Sequence, residues 1–82
     1  MIYEFYGREC PHCISMKPVV ERLKSDGLTI ESFEVWHDEN NAHKLELYER
    51  GLCGGVPFYL NPKSKKWICG ATTYETLKEL SG

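Results

Sequence analysis

From Ile2 to Tyr6 every residue but Glu4 is apolar or aromatic, and Gly7 closes the run, a pattern that predicts a first strand. Met16, Val20 and Leu23 then recur at helical spacing until Ser25, Asp26 and Gly27 interrupt them. Pro11 stands where a helix's first turn favours proline, so a first helix is expected to begin there with Cys10 at its N-cap. Thr29 to Trp36 predicts a second strand. Asp38 to Asn41 offers caps for a second helix whose apolar stripe is Ala42, Leu45, Tyr48 and Leu52, with Gly51 at its end.

Beyond Gly54 and Gly55, the segments Val56 to Leu60 and Trp67 to Cys69 flank the turn-rich stretch Asn61 to Lys66, which predicts an antiparallel hairpin. Thr72 and Glu75 stand at capping-box spacing before a last helix that turns Tyr74, Leu77 and Leu80 inward. The order is strand-helix-strand-helix-strand-strand-helix. The first crossover makes its strands parallel and the hairpin adds an antiparallel pair. The expected fold is α/β, one domain over residues 1–82, with a mixed four-stranded sheet flanked by three helices. Ligands of such sheets collect at the carboxyl ends of strands, where Cys10 and Cys13 fall.

Composition narrows the function. At 82 residues with 41% hydrophobic content, a single modest core is expected. The net charge of −2 leaves no strong field, and the basic cluster Lys63, Lys65 and Lys66 lies in a turn, so nucleic acid is not an expected partner. Met1 runs straight into the first strand without a secretory leader, and no apolar run approaches the ~20 residues of a membrane span, so the expected compartment is the cytoplasm. In a reducing compartment four cysteines point to catalysis or metal binding rather than a disulfide framework.

Cys10 and Cys13 form a C-x-x-C pair. At a helix N-cap the unpaired N–H groups and the positive dipole end favour thiolate over thiol, which makes Cys10 the expected nucleophile. Cys13, one turn further in, is the expected resolving partner, more buried and less reactive. Between them Pro11 fixes the turn, and the His12 imidazole either donates to the Cys10 sulfur or simply faces solvent. A closed zinc site would need a second close pair, whereas Cys53 and Cys69 are far apart in sequence and read as small buried or half-buried thiols. His37 and His43 read as surface histidines, and the Arg8–Glu9 neighbours as a solvated loop pair.

These residues resemble the thioredoxin superfamily. "CPHC" at 10–13 looks like its redox motif, Pro18 like its helix-kinking proline, "GVP" at 55–57 like its cis-proline turn, and "CGATTYETLKEL" at 69–80 like its closing segment. The length and immediate first strand are similar to small glutaredoxin-like proteins with a CPHC motif. The resemblance implies a thioredoxin fold and a thiol-disulfide oxidoreductase that exchanges electrons with protein disulfides through Cys10 and Cys13. It implies that Val56, Pro57 and Gly70 form the substrate-binding wall, and that Glu4 is a buried acid moving a proton during resolution. It implies a monomer with no cofactor or metal, reduced by a reductase or by glutathione. Glu9 stands where thioredoxins carry tryptophan, and Gly70-Ala71-Thr72-Thr73 replaces the double glycine and acids of glutaredoxins, so specific glutathione binding is not expected. A glutathione-dependent glutaredoxin, a metal-binding module and a non-catalytic interaction module remain the alternatives.

Overall fold

Alternation along the first strand divides the molecule into two cores. The computed structural model describes residues 1–82, and in it β1 (Ile2–Tyr6) turns Ile2 and Glu4 to one face and Tyr3 and Phe5 to the other. On the first face Ile2 meets Met16, Val20, Leu23, Ile30, Tyr59, Leu77 and Leu80, which belong to the strands and to the helices α1 (Pro11–Ser25) and α3 (Tyr74–Ser81). On the second, Phe5, Val35, Phe58 and Leu60 pack with Phe33, Leu45 and Tyr48, under α2 (Glu39–Glu49). Aromatic rings fill that side, Phe5 stacking on Phe33 at 5.2 Å between centroids.

The sheet is mixed, in the order β2-β1-β3-β4. β2 (Ile30–Glu34) runs parallel to β1, while β3 (Phe58–Leu60) is antiparallel to both β1 and β4 (Trp67–Cys69). The expected architecture and element order are therefore those observed. Registers Glu4↔Ser32 and Glu4↔Tyr59 place three polar side chains in one row across three strands.

Several boundaries differ from the sequence reading. β2 ends at Glu34, because Trp36 leaves the strand and lies over Gly7, where an added Cβ would come within 2.3 Å of the indole. α2 stops at Glu49, since Arg50 already adopts the left-handed conformation (φ 51°) ahead of Gly51. Leu52 consequently lies outside the helix and is exposed rather than part of its stripe. The third strand starts at Phe58, after a cis Val56–Pro57 bond. α3 is capped by Thr73, whose hydroxyl accepts from Thr76 N, and not by Thr72: the same spacing recurs one residue on.

No helix is long and apolar enough to cross a membrane.

Candidate redox site

Gly7 to Cys10 forms the turn from β1 into α1, with Cys10 N donating to Gly7 O at 3.1 Å. Cys10 is the N-cap: its sulfur accepts from Cys13 N at 3.3 Å, and its carbonyl takes the first helical bond from Ile14 N. The sequence folds this way because Pro11 at the first helical position has no N–H to leave unpaired. Pro18 sits inside the same helix, where it leaves the Ile14 carbonyl without its usual donor.

Cys10 and Cys13 are free thiols in the structure and are equally buried, each 4% exposed. The expected difference in burial is thus absent; the two sulfurs differ in what surrounds them. Cys10 Sγ points toward the Val56 carbonyl at 3.9 Å and receives a backbone N–H. Cys13 lines a separate cavity, and burial, helped by the hydrogen bond to Cys10, pushes its thiol up to about 12. Pro11 and His12 are exposed, and the His12 ring hydrogen-bonds to neither cysteine.

The cavity holds about 320 Å³ between α1 and the β1–β2 pair. Glu4, Gly7, Cys13 and Val20 are its buried walls, and Arg8, Lys17, Glu21 and Lys24 are exposed at its rim. Glu4 is 7% exposed. Desolvation raises its pKa above the ordinary carboxylic value against the opposing pull of two hydroxyls, Ser32 Oγ donating at 2.7 Å and Tyr59 Oη at 3.3 Å. Burial, then the neighbouring Glu4, pushes the Tyr59 phenol far above its usual range, so it remains a donor. Sequence reasoning missed Ser32 and Tyr59. The available signal was a polar side chain at an inward position of a strand, since Ser32 shares the face of Ile30.

A second carboxylate holds the site loop. Glu34 accepts from the backbone of Arg8 at 2.8 Å, His37 at 2.7 Å and Trp36 at 3.2 Å. Desolvation would push its pKa up, but these three donors together hold it below the usual range. Glu9 pairs with His37 across the loop, at 2.6 Å, rather than with its neighbour Arg8. That hydrogen bond holds Glu9 below the usual carboxylate range.

On the other side of Cys10, Gly70 N donates to Pro57 O at 2.8 Å, joining Val56, Pro57 and Gly70 into one wall. Pro57 is buried and Val56 half-buried. Here the structure overturns one sequence reading: Cys53 and Cys69 are not thiols but a disulfide, with Cα atoms 5.4 Å apart. Cys69 is paired with Phe58 in the β3–β4 ladder, and the loop after α2 brings Cys53 back to that edge. Pairing follows from this tertiary return and not from spacing along the chain.

A mixed sheet with α1 and α3 on one face, α2 on the other, and a C-x-x-C pair opening α1 is a thioredoxin-like fold. A crystal structure of a mutant of the thioredoxin-like protein BC3987 shares it with a TM-score of 0.70 over 100% of both chains, at 22% sequence identity. No protein-family model and no curated protein sequence matches this chain.

Proposed function

We propose that the protein is a thiol-disulfide oxidoreductase acting on protein disulfides. The observation that carries this reading is the free Cys10–Cys13 pair at the start of α1, with Cys10 Sγ capping the helix and Cys13 Sγ over the Glu4 cavity. The Cys10 thiolate attacks one sulfur of a substrate disulfide; that S–S bond breaks and the departing thiolate takes up a proton. Cys13 then loses its proton to Glu4 and attacks the Cys10 sulfur, releasing the second substrate thiolate. Two electrons pass to the substrate and a Cys10–Cys13 disulfide remains. A cytoplasmic reductase or glutathione restores the dithiol, and the same steps reversed oxidise a substrate.

Val56 and Pro57 support the choice of a polypeptide substrate, since their wall stands beside the attacking sulfur and offers backbone groups to an extended segment. Exposed Ile14 and Trp36, one next to Cys13 and the other over Gly7, add apolar contact area. Gly70 belongs to this wall, and Pro11 and His12 present the turn between the sulfurs. The protein acts as a monomer without a cofactor.

Equilibration in graded glutathione buffers followed by intact-mass analysis tests the proposal. A reversible loss of two hydrogens, abolished by Cys10→Ser or Cys13→Ser together with disulfide reductase activity, is expected. Full activity in Cys10→Ser refutes it. A stable glutathione adduct on Cys10 with strict dependence on glutathione replaces it with the glutaredoxin reading.

A further inference from the structure

The segment between α2 and β3 has no regular secondary structure, yet it carries Val56 and Pro57. Arg50, Gly51 and Gly54 all have positive φ, and nothing lies within 4 Å of an added Cβ at Gly51, Gly54 or Gly55. Packing therefore does little to fix the glycines, while Cys53 and Val56 lean on the Phe5, Val35, Phe58 and Leu60 core and Pro57 is buried. Two devices hold the loop. At its start the buried Glu49 carboxylate accepts from the backbone of Gly51, of Cys53 at 3.2 Å and of Gly54 at 2.7 Å. Beyond that anchor, the disulfide ties Cys53 to Cys69 on β4. Cys69 is followed by Gly70, whose N–H bonds Pro57 O, and Val56 O faces Cys10 Sγ. An unbroken chain of bonds thus runs from the disulfide to the sulfur proposed to react.

We propose that Cys53–Cys69 is a second thiol-disulfide site, a redox-responsive clamp whose reduction frees the substrate wall while Glu49 keeps the loop tethered. This rests on the oxidoreductase reading above and specifies how that site is regulated. Cys69 is exposed and Cys53 half-buried, so a small thiol can reach the bond. The thiolate of a low-molecular-weight thiol attacks Cys69 Sγ, the Cys53 sulfur leaves and is protonated, and a second donor thiol displaces the first from Cys69. Two electrons and two protons end on the cysteine pair, and the donor leaves as its disulfide. With the clamp open, the wall holds substrate less well while Cys10, Cys13 and Glu4 stay in place.

The test separates this site from the other one. In a Cys10→Ser/Cys13→Ser background, dithiothreitol and glutathione buffers are applied, alkylation and peptide mass report the state of Cys53 and Cys69, and hydrogen exchange is followed at the Gly70 amide, which bonds Pro57 O, and at the Gly51, Cys53 and Gly54 amides, which bond Glu49. Reversible reduction with the far-UV circular dichroism retained, and exchange faster by about tenfold or more at the Gly70 amide while the Glu49-bound amides are unchanged, is expected. Resistance to reduction, unchanged exchange, or global unfolding on reduction would each overturn the proposal, the last because the bond would then be purely structural. In the protein with its native Cys10 and Cys13, Cys53→Ser/Cys69→Ser is expected to raise KM for a disulfide peptide several-fold with kcat retained; equal loss of kcat refutes a clamp on the wall. Failure of the oxidoreductase reading would appear instead as full activity in Cys10→Ser, which leaves the exchange result intact.

Discussion

On the oxidoreductase reading, replacing Glu4 by glutamine separates proton transfer from the other steps proposed for the site. In the dithiol the Cys13 thiol is pushed up to about 12, so ionising it unaided at neutral pH costs about 7 kcal/mol, a thiolate population on the order of one in 10⁵. Once Cys10 is tied up in a mixed disulfide, its hydrogen bond to Cys13 no longer opposes that ionisation, but the burial that dominates the effect remains. Glutamine keeps the volume and an acceptor for Ser32 Oγ but takes no proton. The expected result is a resolving step slowed by about 10²-fold or more, the low end of general-base effects, with the initial attack unchanged. Stability should move the other way. Because the folded pKa is raised, native Glu4 keeps its proton while the unfolded chain has released one; wild-type stability therefore falls as pH climbs from 4.5 to the folded value and stays lower above it. Each tenfold weakening of the acid costs about 1.4 kcal/mol there. Glu4→Gln should lack that fall, matching wild type in acid and exceeding it at neutral pH. Rapid mixing with a disulfide substrate, acid quench and intact mass would follow the mixed disulfide, and urea melts across pH would follow stability. An unchanged resolving rate together with an unchanged pH–stability curve would refute the reasoning.

Other changes have defined outcomes. The disulfide spans a separation of 16 residues, so Cys53→Ser/Cys69→Ser should cost about 3 kcal/mol and lower the melting midpoint by about 12–24 °C, measured by calorimetry. Leu77→Ala, at a side chain 0% exposed between α3 and the sheet, should cost about 2–5 kcal/mol in urea unfolding. Carbon-detected NMR titration should find the Glu9 carboxyl ionising below ordinary glutamates, and His37→Ala should restore it. The sign follows from the depressed folded pKa: the Glu9–His37 contribution is present above the unfolded value and lost as pH falls through the folded one.

Periodicity exposed β1 and α1 at once, because Pro11 fixes the start of the helix and the Met16, Val20, Leu23 stripe has no competing reading. The hairpin was equally legible from its turn residues. Boundaries failed where local chemistry offered equivalent choices: Thr72 and Thr73 both stand three residues before a side chain able to complete a cap, and only packing of Leu77 and Leu80 selects the second. Trp36 has strand-like composition, but the bare backbone of Gly7 gives its ring a better surface than the sheet edge. The place of Cys10 and Cys13 at the start of α1 was legible from Pro11, and the burial of Glu4 only through the resemblance. Ser32, Tyr59 and the Cys53–Cys69 bond were not, since each depends on which strand lies beside which, a property of register rather than of any single segment.

The two sulfurs of the pair open toward different compartments of the molecule, one toward the Val56 carbonyl and one toward the hollow above Glu4. Ile14 and Gly7 border the hollow on the Cys10 side, whereas Lys17, Glu21 and Lys24 border it along α1. On the oxidoreductase reading, a client resting on Ile14 narrows one mouth of the hollow and leaves the charged one as the route by which a proton reaches water.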